Sequence, residues 1–398
     1  MADGDRSRVI YLVTEDWYFW SHRLPMARAA QAAGFDVAVA TRVAGHGQRI
    51  ADQGFRVLPL SWRRRDHGPV ATLRAIVEIA ALYRRERPDV VHHVAMKPVI
   101  VGGLAVWLVS WLAKGANKGE ECSPAVVAAL TGLGFAFTAA GGALSRLRRF
   151  KGAALRALLG FLLSRPKVVA VVQNGDDQRL LLEAGLTTAD RIMVIRGSGI
   201  DTDHFAPLPE PDNPVVIVAY VGRMLADKGL ATLVEAHQRA LAQGAKLRLH
   251  LIGDPDPENP TSISLDMLAR WSRLPGIDIP GAVSDVRTVW ATADIAVLPS
   301  LREGLPKSLL EAAACARPLI ATDVPGCREI ARHGENALLV PAEDPERLAQ
   351  ALVALAEDSE LRRRFAASGR RLVLSDLSAP AVGAATVALY RQICRKNG

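Results

Sequence analysis

Short runs of β-branched and aliphatic residues alternate with longer amphipathic stretches along the first half of the chain. The runs that predict strands are Val9–Val13, Val37–Thr41, Arg56–Leu60, Val90–His93, Val126–Leu130, Val168–Val172 and Ile192–Ile195. Helices are predicted at Leu24–Ala33, which Gly34 would end, and at Thr72–Glu86. Alternation of this kind predicts a parallel sheet with helices on both faces.

The proline-rich segment 207–214 interrupts this pattern and is the best linker in the chain. Further strands are then predicted at Val215–Val221, Leu247–Ile252, Ile295–Leu298, Leu319–Thr322 and Ala337–Val340, with a helix at Leu230–Ala242. Asp344 and Pro345 read as an N-cap and first residue of another helix, and the chain from there is predicted to be helical. The pattern therefore predicts two doubly wound α/β domains, residues 1–206 and 207–377. Ligands bind at the carboxyl ends of parallel strands, so the cleft between the domains is the expected active site.

Composition fits a soluble globular protein, with 49% hydrophobic and 23% charged residues among 398. The net charge of +8 is uneven, because residues 1–206 hold 27 Lys and Arg against 18 Asp and Glu, whereas residues 207–398 hold 22 against 23. The first half is therefore expected to meet an anionic partner, which could be an acidic membrane surface, a phosphorylated substrate or nucleic acid.

The apolar and cysteine content predicts a cytoplasmic protein. No two of the four cysteines, at positions 122, 315, 327 and 394, have metal-ligand spacing, which favours free thiols in a reducing compartment. Val9–Val13 is too short for a signal peptide. The longest apolar stretch, Val99–Ala113, has about 15 residues where a spanning helix needs about 20. It is expected to be a buried helix or one that dips into a surface.

The first chemical motif, Val221–Gly229, follows the first strand of the second domain. It places two cations, Arg223 and Lys228, between Gly222 and Gly229. Glycines let backbone approach a ligand, an arginine can fork a phosphate, and a lysine adds a point charge. The pattern suits a diphosphate leaving group, although a solvated turn with chance charges would look the same.

The second motif, Pro299–Ala312, follows another strand and opens a helix near Lys307. Glu303 lies in the loop and Glu311 in the helix. The N–H groups at the start of this helix, from Leu305, Lys307 and Ser308, form an anion site, and a carboxylate on either side can accept sugar hydroxyls. The alternative is one surface acid and one acid that stabilises the first helical turn.

Other candidates lie in the first domain. Neighbouring residues on a strand face opposite sides, so His92 and His93 cannot ligate one metal, but one of them could serve the cleft. His22 and Arg23 could bind an acceptor phosphate or could cap a helix.

Two pairs of aspartates have the Asp-x-Asp spacing of a known metal-binding motif. They are Asp201 with Asp203 and Asp254 with Asp256. Both are better explained as turn residues, so no metal and no other cofactor is expected.

A basic amphipathic segment covers residues 145–167. No Asp or Glu occurs between Cys122 and Gly175, and seven cations interleave with leucines and phenylalanines there. Such a segment is typical of an element that lies on an anionic membrane surface. A helix pair with a solvated basic face is the alternative. Nucleic acid is not expected as a partner, because no aromatic platform accompanies the charge.

At these residues the chain resembles family 4 of the retaining GT-B glycosyltransferases. The similarity extends to Ile195–Phe205, which resembles the family's interdomain loop, and to Leu251–Asp254, Gly281–Asp285, Pro325-Gly326 and Glu329. It implies a GT-B fold of two Rossmann-like domains with a cleft, and a last helix, about 378–398, that crosses back onto the first domain.

The resemblance also implies roles for matching residues. Arg223 and Lys228 would hold the donor diphosphate, Glu303 would contact the transferred sugar and, with those two cations, would be catalytic, and Glu311 would bind the ribose. The other donor-binding residues that it implies are Gly222, Gly304, Leu305, Lys307, Ser308, Ser198, Gly199, Gly253 and Val283.

Glu15–Arg23, Ile252–Pro260 and Thr131–Gly134 are similar to a subgroup that builds lipid-linked oligosaccharides, which includes N-acetylgalactosaminyl transferases acting on undecaprenyl-diphosphate sugars. Two positions depart from the family. Thr14-Glu15-Asp16 stands where many members have a glycine-rich loop, and Thr131 stands where many have a histidine. The acceptor side is therefore expected to use His22, Arg23, His92 or Thr131, and the leaving phosphate can take the acceptor's proton in a front-face mechanism.

The leading hypothesis is an enzyme that moves a hexose or N-acetylhexosamine, with retention, from a UDP- or GDP-linked donor to a polyprenyl-diphosphate-linked sugar. It would act at the inner face of the cell membrane as a peripheral protein. Two alternatives are a nucleotide-sugar epimerase of the same fold and a catalytically inert, membrane-docked nucleotide-binding subunit.

Overall fold

The structure, a computed structural model, describes residues 6–62, 68–115, 123–131 and 146–395. The chain divides into two compact units, Met1–Gly199 with Ala379–Gly398 and Ile200–Ser378. The sequence placed this division at 206/207. The structure places it seven residues earlier because Phe205 is buried in the second core and the Ile200 N–H donates to the Leu377 carbonyl at 3.0 Å.

The first unit is built on a seven-stranded parallel sheet in the order β3-β2-β1-β4-β5-β6-β7. Its strands are β1 (Arg8–Glu15), β2 (Asp36–Arg42), β3 (Arg56–Pro59), β4 (Val90–Val94), β5 (Ala125–Leu130), β6 (Val168–Val172) and β7 (Ile192–Val194). The central strands are buried along their whole length, because helices cover both faces, and they therefore read as continuous apolar runs.

Seven helices of the first unit precede the second unit in the described residues. They are α1 (Asp16–His22), α2 (Leu24–Ala32), α3 (Gly47–Ala51), α4 (Pro69–Glu86), α5 (Met96–Gly115), α6 (Arg146–Leu163) and α7 (Gly175–Glu183), with a 3-10 turn at Ala189–Arg191. Gly34, with φ +95°, follows α2 as its sequence predicted.

The second unit has a six-stranded parallel sheet in the order β10-β9-β8-β11-β12-β13. Its strands are β8 (Val216–Val221), β9 (Leu247–Ile252), β10 (Ile277–Gly281), β11 (Ile295–Leu298), β12 (Leu319–Thr322) and β13 (Ala337–Val340). Strand β10 was missed by the sequence analysis. It is an edge strand that contains Pro280 and is mostly half-buried, so it lacks the apolar signal of the central strands.

The helices of the second unit are α8 (Leu230–Ala242), α9 (Leu265–Trp271), α10 (Arg287–Thr292), α11 (Lys307–Ala314), α12 (Pro325–Arg328), α13 (Pro345–Glu357) and α14 (Ser359–Leu372), with a 3-10 turn at Ala226–Lys228 and a π-helical turn at Val373–Leu377. The predicted start of α13 is confirmed, because the Asp344 carboxylate accepts the Arg347 N–H at 2.9 Å and Pro345 is the first helical residue.

The last helix, α15 (Ala379–Arg395), belongs to the first unit. It packs along α2, where Gly383 lies so close to Ala29 that a Cβ at that glycine would be 2.6 Å from the alanine methyl. Tyr390 lies fully buried on the sheet, and its hydroxyl donates to the Tyr11 hydroxyl at 2.8 Å.

Helix α5 differs from its predicted extent and surroundings. It has 20 residues rather than about 15, and Met96–Ala113 is long and apolar enough, by length and composition, to cross a membrane. One side of the helix, including Val99, Val106 and Val109, is buried in the core on one face of the sheet. The opposite side is exposed and still apolar, with Trp111 61% exposed.

Candidate functional site

Tyr220 and Gly222 fix the conformation of the motif that follows β8. The Tyr220 hydroxyl, buried in the strand, donates to the Arg223 carbonyl at 2.7 Å, and the Gly222 N–H donates to the Ile252 carbonyl at 2.9 Å. A Cβ at Gly222 would lie 2.7 Å from the Tyr220 hydroxyl. These contacts with Tyr220 and Ile252 therefore fix the turn. The Arg223 side chain projects from the turn and is 47% exposed.

The two chemical motifs meet at the carboxyl edge of the sheet, where β8 and β11 are neighbours. The Leu301 N–H donates to the Asp227 carbonyl at 2.9 Å. Gly229, with φ +70°, lies against the Pro299 carbonyl, where a Cβ would overlap the oxygen. Two segments about 75 residues apart in sequence therefore form one continuous surface.

Lys228 and Glu303 form the centre of this surface. The Lys228 Nζ lies 2.5 Å from the Glu303 Oε1, and the Ser300 hydroxyl donates to the same oxygen at 2.6 Å. The Thr322 hydroxyl at the end of β12 donates to the Ser300 carbonyl, which fixes the base of the loop. Both charged side chains are mostly buried, so their positions are well defined before any ligand arrives.

Arg223 is paired with Asp256 at 2.6 Å. Asp256 lies in a loop that is fixed to the first motif by backbone bonds, from the Ala226 N–H to the Thr261 carbonyl at 2.7 Å and from the Ile263 N–H to the Met224 carbonyl at 2.8 Å. The Asp256 carboxylate also accepts the Glu258 N–H at 3.1 Å. Asp256 therefore has the turn role that the sequence favoured and, in addition, a counter-ion role that the sequence did not reveal.

The first turn of helix α11 follows the loop that carries Glu303. Its N-cap residue is Pro306, which has no side-chain acceptor for the helix's first N–H groups. Within the helix the Lys307 Nζ lies 3.3 Å from the Glu311 Oε1. Burial raises the pKa of Glu311, and the charge of Lys307 offsets only part of that rise. Gly304, Leu305, Lys307 and Ser308, the predicted donor-binding residues of this motif, are all half-buried around the same turn.

A second part of the candidate site lies where β9 and β10 end. Gly253, with φ +139°, packs against the Gly222 carbonyl, and its N–H donates to the Gly281 carbonyl at 3.0 Å. The Asp254 carboxylate accepts the Ala282 N–H at 3.1 Å. Val283 beside it is an exposed apolar side chain. The structure thus places Gly253 and Val283, two of the donor-binding residues that the resemblance implies, in neighbouring segments.

Gly326 lies under the Glu303 loop. A Cβ there would overlap the carbonyl oxygens of Glu303 and Gly304, so no larger residue fits without moving that loop. The sequence analysis missed Ser300, Tyr220 and Thr322, and it gave Asp256 a turn role only. The bond from Thr322 to Ser300 and the pair of Asp256 with Arg223 join distant segments of the chain. Tyr220 and Ser300 each contact a residue three positions later.

The acceptor candidates lie in the first unit. The Tyr18 ring stacks on His22 with centroids 4.3 Å apart, and its hydroxyl donates to the Thr131 hydroxyl at 3.4 Å, so three side chains near the end of β1 are contiguous. Arg23, between α1 and α2, is buried, and one guanidinium nitrogen donates to the Met26 sulfur at 3.4 Å. The acceptor role of these residues stays a prediction.

His92 and His93 face opposite sides of the sheet, as strand geometry requires. His92 Nδ1 lies 2.6 Å from the Tyr390 hydroxyl, and His93 Nε2 lies 3.0 Å from the Tyr83 hydroxyl. Burial lowers the pKa of both, to about 3 for His93, so both rings are neutral. The predicted role of His92 toward an acceptor would require it to leave a buried position.

Asp16, in the segment where the resemblance leads us to expect a glycine-rich loop, accepts hydrogen bonds from backbone N–H groups. Its carboxylate accepts N–H groups from Ala44, Gly45 and His46 at 2.7–2.9 Å. Burial alone would raise the pKa of Asp16, but these bonds and one from the Trp17 N–H outweigh it, and the pKa lies below its usual value. The side chain thereby joins α1 to the loop after β2.

Metal binding was not expected, and the described residues contain no group of three His, Cys, Asp or Glu side chains placed to hold a metal ion. The Asp201 carboxylate accepts the N–H groups of Asp203 and His204, which is a turn role. Ser198 is buried, and Gly199, with φ +70°, packs on the Ala379 backbone.

The basic segment is helical over α6, but side chains 146–151 lie outside the described residues. Of the later cations, Arg156 is exposed, and the Arg165 guanidinium lies over the Phe161 ring, 4.3 Å from its centroid. Among the cysteines, Cys122 also lies outside the described residues. Cys315, Cys327 and Cys394 are free thiols.

Family models match both units. The description "Glycosyl transferases group 1" matches residues 215–358, and "Glycosyl transferase 4-like" matches residues 8–147. The chain belongs to the family 4 glycosyltransferases and is a transferase of polysaccharide or glycan biosynthesis.

Two relatives show how the similarity is distributed. The N,N'-diacetylbacillosaminyl-diphospho-undecaprenol alpha-1,3-N-acetylgalactosaminyltransferase of Campylobacter jejuni is 27% identical over 86% of this chain and 88% of its own length. The alpha-maltose-1-phosphate synthase of Mycolicibacterium smegmatis is 32% identical over 56% of this chain, and the match spans 63% of that enzyme.

Solved structures confirm the GT-B fold. The sucrose-phosphate synthase of Thermosynechococcus elongatus superposes with a TM-score of 0.76 at 20% identity, covering 98% of this chain and 100% of that one. The Anabaena protein HepE in complex with UDP-glucose gives 0.72 at 16% identity, covering 97% and 99%.

Proposed function

We propose that this enzyme transfers a hexose or N-acetylhexosamine from a UDP- or GDP-linked donor, with retention, to a sugar carried on a polyprenyl diphosphate. The observation that supports the donor half is the pairing of Lys228, Glu303 and Ser300 beside the first turn of α11. Lys228 and Arg223 would bind the donor diphosphate, and the Glu303 carboxylate would accept hydrogen bonds from the hydroxyls of the donor sugar. Positive groups fixed in a partly dry site stabilise the charge that develops on a departing diphosphate.

The acceptor half is supported by the similarity along most of the chain to a transferase whose acceptor is an undecaprenol-linked sugar. The net positive charge of residues 1–206 suits such an anionic acceptor at an anionic membrane. No metal is needed in this proposal, because Arg223, Lys228 and backbone N–H groups supply the positive charge.

The test measures nucleoside diphosphate release from a panel of UDP- and GDP-sugars with a polyprenyl-diphosphate-linked sugar as acceptor. Release with one donor, dependent on the acceptor, and an axial product linkage by NMR are expected. Glu303→Ala and Lys228→Ala should abolish it, whereas Asp278→Ala, which removes an exposed carboxylate paired with Arg248, should not.

Two outcomes would contradict the proposal. Conversion of the nucleotide-sugar into its epimer without an acceptor would point to an epimerase. Nucleotide binding without turnover for any donor, unchanged by Glu303→Ala, would point to an inert subunit.

A further inference from the structure

The side of α5 that faces away from the sheet of the first unit is apolar along its length. No charged residue lies between Lys97 and Lys114. Trp107, Trp111 and Leu112 are exposed on this side, at positions i, i+4 and i+5 of the helix. A helix that is apolar all round is normally buried on all sides or in contact with lipid.

The neighbouring helix α6 extends this surface. Phe161 is exposed near its end, and its ring centroid lies 6.5 Å from that of Trp107 in an edge-to-face arrangement. Exposed tryptophan beside apolar residues is the composition of elements that lie at the boundary between lipid headgroups and acyl chains.

A cavity of about 160 Å³ opens between α5 and α6 over the sheet, far more than one water needs. Its walls are apolar, from Val99, Val106, Val126 and Leu162. One hydroxyl pair, Ser110 with Ser123 at 2.6 Å, lies in the wall, and the Ser110 hydroxyl also donates to the Val106 carbonyl at 2.8 Å. The cavity therefore offers apolar contact to a ligand and requires few hydrogen bonds from it.

Cations supply the polar part of the same cavity. Arg165 and Lys167 line it together with the apolar residues. Among the described residues neither side chain forms a salt bridge, and the segment that carries them has no Asp or Glu between Cys122 and Gly175. The position of Arg165 over Phe161 joins the charge to the aromatic surface.

We propose that this cavity binds an acyl chain of an anionic phospholipid of the bilayer, with the lipid phosphate at Arg165 and Lys167 and with Trp107, Trp111 and Leu112 in the interfacial layer. Charge complementarity identifies the lipid as anionic, and the apolar walls between two helices identify the buried part as a chain rather than a headgroup. The inference rests on the proposed action at a membrane, and it adds a lipid that is bound but not consumed.

The experiment uses the full chain and vesicles of phosphatidylcholine with or without phosphatidylglycerol. Co-sedimentation measures docking. Phosphatidylglycerol with a brominated acyl chain measures chain insertion, because bromine quenches the fluorescence of nearby tryptophans. Trp107→Phe should reduce this quenching. Docking only to the anionic vesicles, together with quenching, is expected.

Four variants separate the parts. Gly103→Val and Val106→Phe fill the cavity, and they should remove most of the quenching by brominated chains while co-sedimentation persists in part. Arg165→Gln with Lys167→Gln should weaken docking roughly 25-fold, at about 5-fold for each cation near an anionic leaflet. Trp111→Ser should weaken it as well.

Matched controls lie on the second unit. Lys246→Gln with Arg270→Gln removes two exposed cations, and Leu265→Ser removes a side chain that is 74% exposed, so neither should change docking. Melting temperatures and circular dichroism on each variant exclude misfolding as the cause, which matters most for Gly103→Val because its Cβ would lie 3.2 Å from the Leu162 methyl carbons.

The inference is overturned if cavity-filling variants that fold normally are quenched as strongly as the wild type, or if neutral vesicles bind as well as anionic ones. Such results would leave the transferase proposal intact, because nucleoside diphosphate release with a soluble, short-chain acceptor reports on that proposal alone. Absence of docking by the wild type would overturn the inference and the membrane part of the proposal together.

Discussion

The pairing of Arg223 with Asp256 leads to a prediction about affinity, because a donor diphosphate must compete with this carboxylate. The substitution Asp256→Asn removes the charge but keeps an oxygen that can accept the Glu258 N–H, so the turn should persist. The variant is expected to bind nucleoside diphosphate more tightly than the wild type.

The magnitude follows from the geometry. An ion pair as exposed as this one, at 2.6 Å with Arg223 47% exposed, contributes about 0.5–1 kcal/mol, and the ligand must overcome it. A carboxylate about 6 Å from a phosphate adds roughly 0.7 kcal/mol of repulsion per unit charge in a water-like dielectric. Together these give about 1–2 kcal/mol, or roughly 5- to 30-fold in the dissociation constant.

Isothermal titration calorimetry with UDP and GDP measures this directly, at two salt concentrations. Asp278→Asn is the control, because its pair with Arg248 at 2.8 Å lies in the same unit but outside the two motifs. Arg223→Gln should weaken binding and should remove the effect of Asp256→Asn in the double variant. Weaker binding by Asp256→Asn would refute the reasoning and would mean that the carboxylate orients Arg223 for the ligand.

Four further predictions concern single residues. Ser300→Ala removes a hydrogen bond of 2.6 Å to Glu303, so kcat should fall about 10-fold while the donor KM stays nearly unchanged. Ser300→Thr should restore activity. An unchanged kcat in Ser300→Ala would show that Lys228 alone positions Glu303. Gly253→Ala forces a Cβ onto the Gly222 carbonyl at φ +139° and should abolish nucleotide binding in calorimetry, whereas Gly244→Ala, at φ +90° with open space around it, should cost only stability. Burial raises the pKa of Glu311, so the contribution of Glu311 to stability is present below the unfolded pKa and is lost as pH rises through the folded pKa. Glu311→Gln should therefore raise the melting temperature at alkaline pH, and it should weaken donor binding. A lower melting temperature of the variant at alkaline pH would contradict this. The pKa of Asp16 is lowered, so its contribution is present above the unfolded pKa and is lost as pH falls through the folded pKa; Asp16→Asn should cost about 1–3 kcal/mol at neutral pH, and thermal melts of the two proteins should converge in acid.

The sequence predicted the elements that carry the donor site because apolar strands and glycines leave local signals. The strands β8 and β11 are examples, and outside the site the start of α13 at Asp344 and Pro345 was predicted as well. The pair of Lys228 with Glu303 was not predicted, because it depends on β8 and β11 being neighbours and the alternation of strands and helices does not specify strand order.

Two features could not be predicted for different physical reasons. The apolar run of α5 gave no sign of which side is covered, because a helix that is apolar all round has no periodic contrast. Asp256 was assigned to a turn correctly, but a turn residue's second oxygen can point anywhere, and its contact with Arg223 depends on the folded loop.

The last helix, α15, completes the first unit with residues that are synthesised after the whole second unit. His92 on β4 finds its partner in Tyr390, which lies 298 residues later in the chain. During translation part of one face of the first sheet therefore remains open until α15 has been synthesised, whereas the second unit is one uninterrupted segment that can fold earlier. A protein fragment that stops before Ala379 should be aggregation-prone in its first unit, and a fragment covering 200–378 is the better choice for studying donor binding by itself.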